Sequence, residues 1–340
     1  MDAKEFEDGV AATNLLPGPA STQLAIFCAW RLRRAAGAIL GGVCFIAPGL
    51  VLILGLSAVF LSGHPADWVL GTAAGAGAAV PAVALNAARA LAPNSWRRIG
   101  QERRGRARWV VYALLGAAAT TTVGPYLVLV ILACGLTEVA IRRSMRSGPT
   151  LSVIPAVVVH AATVGGLGAV AWVAFKVGAL SYGGGFVIIP LMQHDVVTTY
   201  HWMTSAQFLN AVALGQVTPG PVVQTVAVVG YAARGLGGGV LAALIAFAPS
   251  FAFVLLGGPR FDQIRANSTV ESFFTGAGPA VIGAIAGSAI PLGRSLQHLW
   301  EIPVLVGALL WLLVLRRGVV SGLVIAGAIG AVVALTGVPV

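Results

Sequence analysis

The chain has 340 residues, of which 58% are hydrophobic and only 9% are charged, and its mean hydropathy is +0.90. A soluble domain of this length carries about a quarter charged residues, so the composition excludes a soluble protein and favours one that lies in a lipid bilayer. The net charge of +10 does not indicate nucleic-acid binding, because the basic residues cluster in short loops between apolar stretches, as the positive-inside rule predicts.

Apolar stretches long enough to cross a hydrocarbon core about 30 Å thick recur along the whole chain. They run over residues 9–30, 36–61, 68–91, 109–141, 151–175, 178–193, 205–232, 236–258, 275–292, 300–315 and 319–338. They predict an all-α polytopic membrane protein with about 10 membrane segments. The opening MDAKEFEDGV is acidic and lacks the positive region and apolar core of a secretory signal.

The polar breaks between these stretches predict the orientation of the chain. The longest, residues 89–108, holds seven Arg and one Glu and is predicted to be a cytoplasmic loop. Residues 141–148 and 316–318 are predicted to be cytoplasmic for the same reason. The stretch 109–141 is too long for one span and TVGPY at 122–126 interrupts it, which predicts a tight hairpin of two short helices.

Two stretches of the chain align as an internal repeat. EFEDGVAATNLLPGPASTQ, residues 5–23, lines up with QFLNAVALGQVTPGPVVQT, residues 207–225, at a constant offset of 202. In this register the two Pro-Gly-Pro triplets coincide, and Gln23 falls opposite Thr225. The repeat predicts two homologous halves with broken helices.

The halves are assigned to residues 1–150 and 151–340, with the last two apolar stretches bracing the second half. An arginine-containing turn and a glycine-rich helix follow each Pro-Gly-Pro triplet. The turn at residues 31–34 holds three Arg, whereas the second turn holds only Arg234. The positive-inside rule therefore predicts a cytoplasmic first turn, a periplasmic second turn and inverted halves.

The triplets at 17–19 and 219–221 are predicted to break helices inside the membrane, because proline lacks an N–H and clashes with the preceding turn. Irregular backbone at membrane depth is tolerated only where it is buried in protein or lines a wet cavity. Each break also creates a helix N-terminus, whose free N–H groups attract anions. Broken helices at matching positions indicate a transporter's substrate site; a simple kink in a packed helix is the alternative.

Polar residues flank both breaks, and a lysine and a glycine triplet precede the second one. Lys176 lies in apolar sequence, where it either snorkels or serves a ligand. Glycines 183–185 either pack helices closely or let backbone amides approach an anion. The candidate substrate-binding residues are Pro17, Gly18, Pro19, Gln23, Lys176, Gly183, Gly184, Gly185, Gln216, Thr218, Pro219, Gly220, Pro221, Gln224 and Thr225.

The motifs LLPGPASTQLA and SYGGGFVIIPLMQHDVV…WMTSAQFLNAVALGQVTPGP resemble the chromate ion transporter family, in the family's order and spacing. The resemblance implies two homologous membrane halves, a tetrahedral oxyanion dianion as substrate, and a multi-pass protein of the bacterial inner membrane that exports chromate and confers resistance to it. A permease for another oxyanion such as sulfate, or a non-transporting scaffold or sensor, is the alternative.

The resemblance departs from the family pattern at one point. The second half has the opening FKVGALSYGGGF, residues 175–186, followed by Trp202 ahead of its triplet. No equivalent opening precedes Pro17, where family members usually show a Phe-Gly-Gly-Pro segment. Two readings are open: the start of the sequence has been lost or misassigned, or the protein works with one opening segment.

The sequence predicts no enzyme, metal site or cofactor. It contains no Asp-rich metal motif, no His-Glu-x-x-His and no Gly-x-Ser-x-Gly elbow, and Cys28, Cys44 and Cys134 lie singly in apolar stretches. The expected partners are the oxyanion and the lipid bilayer, without nucleic acid. The oligomeric state is left open, a homodimer being one arrangement.

Overall fold

The computed structural model describes residues 18–62, 65–99, 102–122, 126–146, 166–181, 186, 188–257 and 267–339. Every regular element within these ranges is helical. In chain order the helices are α1 Ala20–Phe60, α2 Asp67–Arg98, α3 Arg103–Thr122, α4 Leu127–Arg146, α5 Leu167–Leu180, α6 Ile188–Gln193, α7 Ser205–Val217, α8 Thr225–Gly257, α9 Ser268–Arg294, α10 Glu301–Leu309 and α11 Val319–Leu335. π-Helical turns extend α6 over His194–Thr199 and α10 over Leu310–Val314, and a 3₁₀ turn, Val222–Gln224, leads into α8.

The helices confirm the predicted class of an all-helical membrane protein. Four of the described elements are long and apolar enough to cross a bilayer: α1, α2, α8 with its preceding 3₁₀ turn, and α9. The helices α5, α10 and α11 are apolar but shorter. The count of about 10 membrane segments, the inverted halves and the division near residue 150 stay predictions.

The helix α1 is a hairpin of two helices rather than one straight rod. Arg33 and Arg34 depart from helical geometry, and Arg34 has a φ of 51°. After this turn the chain runs back along itself, because a side chain on Gly37 would collide with the backbone of Ala29. We call the arms α1a, residues 20–32, and α1b, residues 35–60.

The helix α8 has the same construction, as the internal repeat predicts. Its turn lies at Arg234 and Gly235, and Gly235 has a φ of 61°. A side chain on Gly230 would collide with the backbone of Gly238, so the second arm again folds back on the first. We call the arms α8a, residues 225–233, and α8b, residues 236–257.

The long arms α1b and α8b pack against each other with opposite chain directions. Gly42, near the start of α1b, contacts the ring of Phe251, near the end of α8b. Gly239, near the start of α8b, contacts Leu54, toward the end of α1b. The two arginine turns, from which these arms start, therefore lie at opposite ends of the helix pair.

The prediction that residues 89–108 form a loop is wrong, because α2 continues to Arg98 and α3 begins already at Arg103. The Trp96 and Trp109 rings pack edge to face at 5.1 Å and join these two helix ends. Ala and Arg are good helix formers, so loss of the apolar pattern did not end the helix. The predicted two-helix structure of 109–141 is confirmed by α3 and α4.

The helix α9 packs closely on α3 through small residues. A side chain on Gly283 would collide with the backbone of Ala113, and one on Gly287 would press on the backbone of Ala117. The matching four-residue steps mean that α3 and α9 run in the same direction. The end of each helix, at Thr122 and at Arg294, therefore lies at the same end of the pair. Small residues allow such close approach in membrane proteins.

Candidate functional site

The first break lies at Gly18 and Pro19, which are both buried; Pro17 is outside the described residues. Gly18 has a φ of 126°, a backbone conformation that a residue with a side chain rarely adopts. Its N–H donates to the carbonyl oxygen of Ser181, directly after the end of α5. The helix α1a then begins at Ala20 with no side chain capping its N-terminus.

The second break has the same backbone shape. Gly220 has a φ of 130°, and Pro221 opens the 3₁₀ turn, again without a side-chain cap. Gly215, before the break, packs against Thr225, after it. The chain therefore reverses direction at this triplet, which forms the tip of a hairpin between α7 and α8a rather than a kink in a single span.

The N-terminus of α7 provides a useful contrast with these two uncapped ends. There Thr204 and Gln207 form a complete capping box: the Thr204 hydroxyl accepts from the Gln207 N–H at 3.2 Å, and the Gln207 side chain accepts from the Thr204 N–H at 2.9 Å. The first N–H groups after Pro19 and Pro221 have no such partner from a capping side chain and are open to a ligand.

A glutamine follows each break and contacts the other half of the protein. Gln23 is fully buried beside Gly18, in a space that Ser250 of α8b also reaches. Gln224 is buried beside Gly220 and donates from Nε2 to the carbonyl oxygen of Ile46 in α1b at 2.8 Å. Each break therefore packs against the long arm of the opposite repeat.

The predicted register of the repeat is wrong after the breaks, because the offset falls from 202 to 201. The breaks match at Gly18 and Gly220, but the non-helical turns begin at Arg33 and Arg234. Gln23 consequently corresponds to Gln224 and not to Thr225. The second repeat has one residue fewer between triplet and glutamine, and its 3₁₀ turn, which rises faster per residue than an α-helix, spans the same gap.

Thr218 and Thr225 bond to nearby backbone rather than presenting free hydroxyl hydrogens. The Thr218 hydroxyl donates to the carbonyl oxygen of Leu214 at 2.7 Å, and the Thr225 hydroxyl donates to that of Val222 at 2.8 Å. Both support the backbone on either side of the second tip. Their hydroxyl hydrogens serve an anion only if these bonds exchange.

Buried polar atoms without a hydrogen-bond partner among the described residues concentrate around the breaks. They include the hydroxyls of Thr22, Ser181 and Ser250, the side-chain oxygen of Gln224 and the side-chain nitrogen of Gln216. An unpaired buried polar group costs about 1–3 kcal/mol, so proteins rarely collect several in one region without a role for them. A polar ligand or water that reaches this region would satisfy them.

Lys176 neither snorkels nor points to open solvent. It lies one to two turns before the end of α5, is 8% exposed, and forms an ion pair with Asp195, which is 6% exposed and lies in the π-helical turn after α6. Asp195 is the functional candidate that the sequence analysis missed. An acidic residue 19 positions after the lysine, at the edge of an apolar stretch, was the available signal.

The structure brings Gly18, Gln23 and Ser181 together at one break, and Gly220 and Gln224 together at the other. The glycines 183–185 lie outside the described residues. The larger described cavity, about 500 Å³, has none of the predicted site residues among its described lining. That the two breaks face each other across a cavity stays a prediction.

Comparison with known proteins gives one consistent result. The family model described as "Chromate transporter" matches residues 1–139 and 168–335. A "Chromate transport protein" of Cupriavidus metallidurans is 32% identical, over 92% of this chain and 78% of the relative. A "Probable chromate transport protein" of Synechococcus elongatus and a "Chromate transport protein" of Pseudomonas aeruginosa are each 29% identical, over 86% of this chain and 76% and 73% of the relatives. No solved structure gives a significant match.

Proposed function

Since the chain belongs to the chromate transporter family, we propose that it moves chromate or a related tetrahedral oxyanion out of the cell across the cytoplasmic membrane, with chromate resistance as the consequence. The relatives are named as chromate transport proteins, which suggests the transported ion, and their bacterial sources support a place in the bacterial inner membrane. The observation that carries a specific site is the pair of uncapped breaks surrounded by unpaired buried polar groups.

The oxyanion site is assigned to the two breaks, at Gly18 and at Gly220, which we call the first and the second tip. Each tip offers N–H groups at a helix N-terminus, where the helix dipole is equivalent to roughly half a positive charge. Two such ends offset part of a dianion's charge without placing an arginine cluster in the membrane. The side chains of Gln23 and Gln224 lie beside the tips, Thr218 and Thr225 support the second one, and Gln216 precedes it with its side-chain nitrogen unpaired.

Lys176 is a buried positive charge that lies near the first tip along the chain. Ser181, whose carbonyl oxygen holds Gly18, lies five residues after Lys176 along the chain, a rise of about 7 Å on a helix. Lys176 is neutralised by Asp195 in the absence of substrate. In this proposal the arriving dianion shares the ammonium group with Asp195, and the two helix N-termini offset part of the remaining negative charge.

The halves are proposed to be inverted about an axis in the membrane plane. The antiparallel packing of α1b and α8b supports this arrangement, because it separates the arginine turns to opposite ends of the pair. The arms α1a and α8a support it as well: at about 1.5 Å per residue they are roughly 20 Å and roughly 14 Å long, too short to cross the bilayer, so each reaches from one surface toward the middle. The two tips would then meet near the middle of the bilayer.

Export of a dianion is favourable without a coupled ion. Moving one charge across a potential of 100 mV is worth about 2.3 kcal/mol, and a dianion leaving a negative interior gains about twice that. A site made of backbone dipoles also releases its ligand more readily than one made of full charges.

Chromate uptake by inside-out membrane vesicles tests this function. Vesicles that contain the protein should accumulate chromate when the lumen is made positive, and control vesicles without the protein should not. Because recognition through amides depends on shape and charge, excess sulfate should slow chromate uptake, whereas equal ionic strength from chloride should not. Uptake equal to that of control vesicles would leave the scaffold or sensor reading; sulfate uptake without chromate uptake would identify a sulfate permease.

A further inference from the structure

A cavity of about 500 Å³ opens where three parts of the fold meet: the ends of α3 and α9, and the π-helical turn that follows α6. The start of α7 closes it on the remaining side. Its described lining is Thr120, Thr121, Thr122, Pro190, Gln193, His194, Val197, Thr198, Ser205, Pro291, Arg294, Ser295, Leu296 and Gln297. A cavity of this volume admits a small hydrated ion with room for exchange.

The chemistry of the lining fits an anion. Arg294 is exposed and makes no hydrogen bond or ion pair with any described residue. The side chains of Gln193, Gln297 and Ser205 likewise have no hydrogen-bond partner within the described part of the chain. None of the described lining residues is acidic. One guanidinium and three neutral donors, all without a partner among the described residues, therefore share a cavity whose described lining contains no carboxylate.

The single arginine alone has an ordinary explanation. A basic residue in the last turn of a helix interacts favourably with the helix dipole, and Arg294 occupies that position in α9. This accounts for the charge. It does not account for an open polar hollow around it, or for free donors contributed by α6, α7 and the segment after α9.

The cavity lies at the end of α3 and α9 that is opposite to the arginine-rich start of α3. Because α3 and α9 run in the same direction, Thr122 and Arg294 lie at the end opposite to Arg103 and Arg104, which begin α3. The positive-inside rule puts the arginine-rich end in the cytoplasm, so the cavity opens toward the external face.

Two elements that line the cavity also lead toward the proposed substrate site. His194 lines its wall, and the next residue, Asp195, pairs with Lys176 behind that wall. Ser205, on the opposite side, begins α7, which ends at the second break about 20 Å further along. Two independent elements thus lead from this cavity toward the tips.

We propose that this cavity is an external vestibule that binds the oxyanion dianion after it leaves the hairpin tips, with Arg294 as its charged group. The proposal rests on the proposed function, since the tips must deliver the ion. The vestibule lowers the barrier to release by offering the dianion a partly desolvated cation before it reaches bulk water. It also predicts that external sulfate or chromate occupies the same cavity.

The test is side-specific cysteine labelling of the full-length protein in intact cells. Thr121→Cys is placed in the cavity and Ser62→Cys outside it, after α1b, each with Cys28, Cys44 and Cys134 replaced by Ser. Membrane-impermeant thiosulfonates, one anionic and one cationic, report the local potential. The ratio of anionic to cationic labelling rates should be roughly tenfold higher at Thr121→Cys than at Ser62→Cys.

The added substitution Arg294→Gln should bring that ratio down to the control value, and Arg294→Lys should keep it. Sulfate at millimolar concentration should slow labelling of Thr121→Cys several-fold, with no effect at Ser62→Cys or with Arg294→Gln present. Three results would each overturn the vestibule. The labelling ratios could be equal at both positions, Thr121→Cys could react only from the cytoplasmic side, or sulfate could still protect Thr121→Cys when Arg294→Gln is present. Chromate uptake by vesicles is measured separately, so a functioning transporter without protection refutes the vestibule alone.

Discussion

At the scale of single residues, Lys176 and Asp195 place a positive and a negative charge in the buried part of the protein, where each would be costly without the other. A lysine in an apolar stretch is conspicuous from sequence, because a charge there is costly. Its partner was not, because the pairing depends on how α5 packs against the π-helical turn 19 residues further on. Charge identity is local information, whereas charge pairing is tertiary information.

Removing one member of this pair should damage folding, and removing both should separate folding from transport. Lys176→Met or Asp195→Asn alone leaves a buried polar group or charge without its partner, which costs about 3–5 kcal/mol for a charge. The single variants should therefore unfold at markedly lower temperature in detergent. The double variant Lys176→Met with Asp195→Leu should regain thermal stability but transport chromate at least tenfold more slowly, because the oxyanion loses the cation that it shares with Asp195 in our proposal.

Thermal unfolding and vesicle uptake of the same preparations provide both readouts. Arg143→Gln serves as a control for loss of one charge, since that side chain is exposed and its contact with Thr269 is at the long limit of 3.5 Å. Normal uptake by the stable double variant would show that the pair is structural, and Lys176 would leave the set of ligand residues.

At the scale of elements, the sequence predicts where the helices break, but it does not predict how the chain continues after each break. Pro-Gly-Pro determines locally that a helix must stop; α7 ends ahead of the second triplet as predicted, and α1 begins directly after the first one. The reversal of the chain and the one-residue change of register were not predictable, because they depend on packing between α7 and α8a and on a 3₁₀ turn. Likewise the polar residues after 89 suggested a loop, although their helix propensity allowed α2 to continue.

Replacing Pro219 and Pro221 together by Ala should abolish transport while membrane insertion survives. Alanine restores two N–H groups and favours helix, so α7 can extend past Val217 and its backbone amides can pair within the helix instead of facing the ligand. Chromate uptake should fall at least tenfold at unchanged protein content of the membrane. Pro48→Ala is the matched control, since Pro48 lies exposed within α1b, and it should transport normally.

The proline prediction distinguishes a binding site from a mere bend. If the double variant carries chromate at the rate of the unchanged protein, the tips contribute geometry that alanine can supply, and the site lies elsewhere in the fold. If the Pro48→Ala variant loses as much activity, the effect reflects general helix packing.

At the scale of the whole molecule, the antiparallel packing of α1b and α8b separates the two arginine turns to opposite ends of the pair. Three Arg near one end and a single Arg near the other then agree with opposite sides of the membrane. The positive-inside rule likewise predicts that Ser144, near the end of α4 in the arginine-rich segment 141–148, lies on the same side of the membrane as the first turn. If the two halves are inverted, the arms α1a and α8a approach the middle of the membrane from opposite surfaces.

Labelling of one cysteine in each turn decides whether the halves are inverted. Arg33→Cys and Leu236→Cys are made in the background with Cys28, Cys44 and Cys134 replaced by Ser. Both positions are exposed, Leu236 at 61%, so a maleimide can reach them. In intact cells an impermeant maleimide should modify Leu236→Cys and spare Arg33→Cys, and in inside-out vesicles the preference should reverse. Ser144→Cys should be modified in the same preparation as Arg33→Cys. Modification of Arg33→Cys and Leu236→Cys from the same side would exclude the inverted arrangement, and the two tips could then not meet as proposed.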